Sequence, residues 1–203
     1  MQMPDFSFEE RAPRHPVCGI DEAGRGPWAG PVVAGAVILN AANIPEGLND
    51  SKKLSHRRRE TLFDMIIAQA DVGIGVASVA EIDALNILNA TYLAMVRAVE
   101  NLHVPPAYAL IDGNKIPPDM PCDAREIVKG DARSVSIAAA SIIAKVTRDR
   151  MMQDLAHAFP GYDWENNAGY GVPAHRAGLD RLGITPHHRT TFKPIRALLG
   201  VKS

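Results

Sequence analysis

The stretch VCGIDEAGRGPWAGPVVAGAVIL, residues 17–39, decides the architecture. Val17 to Asp21 and Val32 to Leu39 are apolar runs rich in β-branched residues, joined by a Gly- and Pro-rich link, a pattern that predicts two paired strands. The link also disposes of one alternative. Gly24-Arg-Gly26-Pro-Trp-Ala29 fits the dinucleotide-binding fingerprint in form, but that motif must open a helix. Here Pro31 and a second strand follow, so no helix N-terminus is available to receive a phosphate.

Working outward, Ser55 is placed to cap a helix in which Leu62, Phe63, Ile66, Ile67 and Ala70 recur at helical spacing. A strand is expected over Val72 to Val79, and Leu85, Leu88, Tyr92, Met95 and Val99 then form one helical stripe. Tyr108 to Ile111 predicts a short strand ending at Asp112-Gly113, and Arg125 to Val128 a weaker one. An Ala- and Ile-rich segment from Ala132 to about Phe159 predicts a long helix stopped by Pro160-Gly161. The last forty or so residues read as irregular with short helices. The fold class expected is α/β: a mixed sheet of antiparallel hairpin strands plus parallel strands, flanked by helices, with a small helical C-terminal region. Residues 1–15 read as a loose arm and 16–203 as a single domain, which suits a chain of 203 residues.

Composition sets class rather than function. A net charge of -1 lacks the basic footprint that advertises nucleic-acid binding, yet Lys52, Lys53, Arg57, Arg58 and Arg59 form a local basic patch that a set of acidic ligands would cancel in the total. Cys18 and Cys122 have no zinc-type spacing and suggest neither a disulfide framework nor structural zinc, which fits a reducing cytoplasm. The N-terminus has no apolar core of a signal peptide, and no apolar run approaches the roughly 20 residues of a membrane span, so no membrane partner is expected.

Asp21, Asp112 and Asp131 share one setting: each stands where an apolar strand ends or a helix begins. Ligand sites of open α/β sheets gather at such strand ends. Carboxylates crowded there repel one another unless protonated or bridged by cations, and hard oxygen donors favour magnesium or manganese. Singly, each has a plainer reading, Asp131 as a helix cap and Asp112-Gly113 as a turn. Asp21-Glu22 is harder to dismiss, because two adjacent charges in an apolar setting are costly without partners. Neighbours on a regular strand point to opposite faces, so either the strand twists or bulges at Glu22 or one of the two carboxylates faces solvent.

GIDEAGRGPWAGPVVAGAVIL resembles the signature of the bacterial ribonuclease HII (type 2 ribonuclease H) family, and LNDSKKLS, LIDGNK, KGDARSVSIAAASIIAKVTRDR and GYGVPAH resemble its later blocks in order, together spanning about Val17 to Phe192. The resemblance implies an RNase H-like fold and a metal-dependent endonuclease, cleaving the RNA strand of RNA–DNA hybrids and 5′ of single ribonucleotides in duplex DNA. It implies 3′-hydroxyl and 5′-phosphate products, and a role in removing misincorporated ribonucleotides and RNA primers. On the same ground Asp21, Glu22, Asp112 and Asp131 correspond to four metal-binding, catalytic carboxylates for two divalent ions, magnesium or manganese, with Asp21 expected to bridge them. Gly24, Arg25 and Gly26 correspond to a loop whose backbone reads the ribose 2′-hydroxyl, Tyr170 to a tyrosine that packs on that sugar, and Lys52 and Lys53 to phosphate contacts. The sequence departs from the usual pattern at Val172, where threonine is common, and at Thr191, where serine is common. Lys145, Arg148, His175, His187 and His188 are expected to hold backbone, pack or face solvent, and the enzyme is expected to be a monomer. A binding-only module is the rival reading, but four acids set against a polyanion would oppose binding unless cations neutralise them.

Overall fold

The computed structural model describes residues 3–200; residues 1–2 and 201–203, the outer ends of the expected arm and domain, lie outside the described residues. β1 (Val17–Ala23) and β2 (Val32–Ile38) pair antiparallel, with Asp21 opposite Gly35 and Glu22 opposite Ala34. β3 (Asp71–Ala77) adds antiparallel to β2, while β4 (Tyr108–Asp112) and β5 (Asp123–Ile127) add parallel on the other side, giving the order β3-β2-β1-β4-β5. This is the mixed sheet that the alternation of apolar runs predicts, with β1 at its centre.

Two long helices cover the sheet. Cys18, Ile20, Ala34 and Ala36 pack with Ala90, Ala94 and Ala98 of α3 (Val79–Glu100) on one face. Val37 packs with Ala139, Ala140 and Ile143 of α4 (Val135–Ala158) on the other, where α2 (His56–Gln69) joins through Leu62 and Ile66. Each fully buried Ile or Leu in these layers contributes about 1.5–3 kcal/mol by removal from water. Against β3 the helix approaches so closely that a Cβ on Gly73 would stand 1.9 Å from the Ala98 carbonyl oxygen and one on Gly75 2.0 Å from that of Ala94. Only glycine allows this contact. By length and overall hydropathy α3 could pass for a membrane span, but its small apolar residues lie against the sheet.

Boundaries shift where caps decide them. The strand expected to reach Val79 ends at Ala77, because Ser78 accepts the Glu81 N–H while the Glu81 carboxylate accepts the Ser78 N–H, a reciprocal cap that starts α3. Asn86 breaks α3 with φ 67°, and its Oδ1 accepts from the amides of Leu88 and Asn89 to restart the helix. The helix expected from Ala132 begins at Val135: Gly130–Ala132 forms a separate tight turn and Ser134 is the cap. The weaker strand covers Asp123–Ile127 rather than Arg125 to Val128. The C-terminal region holds α5 (Trp164–Asn167), α6 (Pro173–Leu182) and α7 (Lys193–Leu198). Val172 sits at the cap position of α6 without a side-chain hydrogen bond, so the hydroxyl that a threonine would offer there is missing. At Thr191 the other departure is harmless, since its hydroxyl donates to Asp83 at 2.7 Å as a serine could.

Of the loose arm expected over residues 1–15, the stretch from Asp5 to Glu9 is held against the domain instead. α1 (Ser7–Glu10) is docked, with Glu9 only 2% exposed. A buried carboxylate demands partners, and Glu9 finds them in Ser134 and Ser136 at the start of α4.

Candidate active site

Register assigns each carboxylate to a face. Gly19, Asp21 and Gly35 share the α4 side of the sheet, and in the parallel β1/β4 pair Gly19 lies opposite Leu110, so Asp112 falls on that side too. The turn Gly130–Ala132, immediately before α4, delivers Asp131 to the same place, and the Gly130 N–H donates to Asp112 Oδ1 at 2.6 Å. One carboxylate oxygen from each of Asp21, Asp112 and Asp131 lies within 4.8 Å of the other two. Neither plainer reading survives: Ser134, not Asp131, caps α4, and Asp112 is turned into a cluster of acids.

Glu22, one residue on, takes the α3 side. Its carboxylate stands 3.4 Å from the Arg25 guanidinium and borders a recess of about 370 Å³ with Tyr92, Met95 and Asp112. Adjacent carboxylates on one strand thus straddle the sheet edge, joined by the Glu22 N–H donating to Asp21 Oδ1 at 2.7 Å. Neither bulge nor full solvent exposure is involved.

Burial first, then the charges of Glu22, Asp112 and Asp131, push the Asp21 carboxyl well above the ordinary aspartate range. Burial and Asp112 likewise raise Asp131. In Glu22 burial outweighs the opposing pull of Arg25, and its carboxyl is raised too. Lys52 answers this field: burial works against its charge, but Asp21, Asp50, Asp131 and Asp112 together hold its ammonium above the ordinary lysine value. An aspartate 7% exposed, with like charges as its neighbours, is a fit site for a hard divalent cation, which would relieve the repulsion that raises these groups.

A cleft of about 320 Å³ joins Asp21 and Glu22 to Gly24, Arg25, Gly26, Lys52 and Tyr170, placing most of the residues singled out from the sequence in one space. Asp112 and Asp131 do not line it and meet it through their cluster with Asp21, while Lys53, its ammonium 3.8 Å from Asp50, lies outside it. Lys52 is carried by the single turn Ser51–Lys53, which Arg59 holds through the carbonyls of Ser51 and Leu54. Ser51, Ser141 and Lys145 also face the cleft, and Lys145 donates to Asp149 at 2.7 Å.

The loop after β1 is fixed from beneath by two buried guanidinium groups. Arg148 donates to the carbonyls of Pro31, Ala29 and Ala168 at 2.9, 3.1 and 3.0 Å. Arg189, 0% exposed, donates to those of Gly24, Arg25, Gly30 and Pro31 at 2.5 to 3.2 Å. Gly24 has φ +97°, and a Cβ there would stand 2.0 Å from Arg148 Nε, so only glycine lets the strand turn over the two arginines. Burial and the like charge of Arg148 push Arg189 down to about 9, and burial pushes Arg148 down to about 10, so both are still charged at neutral pH. Arg148 as a backbone holder agrees with the sequence reading. Arg189 escaped it, because a lone arginine in HHRTTF carries no periodicity or motif.

Tyr170 lies against Gly26, its ring 3.3 Å from where a Cβ would stand. Its carbonyl accepts from His175, in a network whose proton positions follow from geometry. His188 Nδ1 accepts from the Thr185 N–H at 2.9 Å, so Nε2 carries the proton and donates to His175 Nε2 at 3.0 Å. His175 Nε2 also accepts from Trp164 Nε1 at 3.0 Å, which leaves the His175 proton on Nδ1, 3.0 Å from the Tyr170 carbonyl. Both imidazoles are buried and packed, the packing role expected of them. Burial, then His175, lowers His188 to about 4. A histidine depressed in the folded state contributes stability that is fully present above the unfolded value near 6.5 and is lost as pH falls towards 4, about 3 kcal/mol at the acid end. Imidazole nitrogen NMR at pH 7 is expected to show Nδ1–H on His175 and Nε2–H on His188, with His188 silent down to about pH 5; a midpoint near 6.5 contradicts the network.

The family model for ribonuclease HII matches residues 18–195, a span that takes in every carboxylate of the cleft, the loop and Arg189. Ribonuclease HII of Jannaschia sp. (strain CCS1) is 59% identical over 196 residues, 97% of this chain and 98% of that protein. Among solved structures, the ribonuclease H2 of Pyrococcus horikoshii OT3 superposes with a TM-score of 0.77 at 29% identity, covering 90% of this chain and 96% of that one. The ribonuclease HII of Archaeoglobus fulgidus, solved as a complex with PCNA, gives 0.72 at 28% identity over 87% and 95%. Sequence, mixed sheet and carboxylate cluster agree from end to end: the chain belongs to the ribonuclease HII family of ribonuclease H endonucleases.

Proposed function

We propose that this cleft cuts the RNA strand of an RNA–DNA duplex, and the phosphodiester on the 5′ side of a single ribonucleotide embedded in duplex DNA. The observation that carries the reading is the meeting of Asp21, Asp112 and Asp131 oxygens in one cluster beside the Gly24–Gly26 loop and Tyr170. Two divalent ions, magnesium or manganese, would supply when bound the charge neutralisation and Lewis acidity of an in-line displacement. Asp21, next to Asp112 and Asp131 in space and to Glu22 in sequence, would be a ligand to both.

The remaining work falls to the chain. Lys52 offers its ammonium to a phosphate. The backbone of residues 24–26, its carbonyls held down by Arg189, reads the 2′-hydroxyl, the one mark separating a ribonucleotide from a deoxyribonucleotide at that site. Tyr170 packs on the sugar. Water attacks phosphorus and the 3′ oxygen departs with a proton, leaving 3′-hydroxyl and 5′-phosphate ends. Such chemistry suits removal of misincorporated ribonucleotides and RNA primers.

A labelled DNA duplex with one internal ribonucleotide, an RNA–DNA hybrid and an all-DNA control, each with and without magnesium or manganese, tests this. Cation-dependent cuts 5′ of the ribonucleotide and along the hybrid are expected, with the control intact. Tight binding without cutting of either substrate would replace the reading with a binding-only module.

A further inference from the structure

We propose that Glu9 is a positioning residue, the tip of an N-terminal clamp that fixes the turn carrying Asp131. The inference rests on the reading of Asp131 as a cation ligand. Glu9 Oε1 accepts from Ser134 Oγ at 2.5 Å, from the Ser136 N–H at 3.0 Å and from Ser136 Oγ. Ser134 is the cap of α4 and Ser136 lies in its first turn, so the carboxylate sits where a 24-residue helix presents unpaired amides and the positive end of its dipole. The other oxygen, Oε2, is buried and has no hydrogen-bond partner among the described residues, so the hydrogen bonds found for this carboxylate all go to the start of α4.

The clamp has further points of attachment. The Asp5 N–H donates to the Arg133 carbonyl and the Val135 N–H to the Asp5 carbonyl, each at 3.2 Å, and the Arg133 guanidinium lies 4.9 Å from the centre of the Phe8 ring. Residues 133–136 are thus held from outside by a segment more than 120 residues earlier in the chain. On the inner side, the Arg133 and Ser134 N–H groups donate to the Gly130 carbonyl, while the Gly130 N–H donates to Asp112. Asp131 therefore lies between a contact to another cation ligand and a clamp that Glu9 closes. Outer partners of this kind set ligand orientation and commonly change cation affinity by about 10–100-fold.

The test uses the full chain with Glu9→Ala, Glu9→Gln and Ser136→Ala. Hydrogen exchange is expected to show protection lost over residues 130–137 in Glu9→Ala, with the sheet unchanged. Manganese affinity, read by calorimetry without substrate, is expected to fall about 10-fold in Glu9→Ala, less in Ser136→Ala, and to stay within about threefold of wild type in Glu9→Gln, whose carbonyl oxygen can still accept. Cleavage at saturating cation should recover to near the wild-type rate. Unchanged affinity and exchange in whichever of Glu9→Ala and Ser136→Ala folds would overturn the clamp. A wild type that binds no manganese sinks the catalytic reading instead, while the exchange pattern still decides whether the clamp exists.

Discussion

Asp21→Asn is expected to lower the cleavage rate about a thousand-fold, the equivalent of roughly 4 kcal/mol of lost cation-dependent charge stabilisation, while making the cation-free protein more stable. The two effects have one cause. Asp21 is almost wholly buried among Glu22, Asp112 and Asp131, and burial first, then these charges, raise its carboxyl above the ordinary range. An acid raised in the folded state opposes folding once pH exceeds its unfolded value, so at neutral pH its removal is a gain. Asparagine keeps an Oδ1 to accept the Glu22 N–H, so the strand end is preserved. Wild type should gain about 2.7 kcal/mol of stability when magnesium or manganese is present at 100 times its dissociation constant, and the variant much less. Denaturant melts with and without cation, beside a cleavage assay, read both. A variant that is inactive yet no more stable without cation would show that Asp21 is not under charge strain.

Arg189→Lys is expected to destabilise the protein by roughly 3–5 kcal/mol and to reduce cutting at a single ribonucleotide sharply, while leaving manganese affinity within a few-fold of wild type. Arg189 spreads its donors over four carbonyls of the loop after β1, and an ammonium has one nitrogen from which to reach them. Carbonyls left unpaired beneath the loop would let residues 24–26 turn, whereas Asp21 is held by the β1 ladder and stays in place. Urea melts, manganese titration and a comparison of ribonucleotide-containing with all-DNA duplexes separate the effects. Loss of manganese affinity in step with activity would place Arg189 in support of the carboxylates rather than of the loop.

Local signals in the sequence reached far, then stopped at a definite kind of feature. The β-branched runs 17–21 and 32–39 and the small-residue segment within 132–159 fix strand and helix because period and propensity act within one element. Asp21, Asp112 and Asp131 were legible because strand ends are where a parallel sheet collects ligands. The side taken by Glu22 was not, since alternation states that neighbours differ but only register with β2 and β4 states which face the cluster occupies. Glu9 and Arg189 were invisible for another reason. Each is a single polar residue whose side-chain hydrogen bonds reach partners more than 100 residues away, and no local pattern encodes a contact of that range.

The distance between Arg189 and its partners also orders events during synthesis. It closes on carbonyls 158 to 165 residues earlier. A chain leaving the ribosome has made all four acidic residues by residue 131, but the fastener of the loop after β1 comes 58 residues later. The loop beside the acidic cluster is locked only after the acids themselves have been made, so a polypeptide broken off in that interval would carry the acids beside a loop with no fastener.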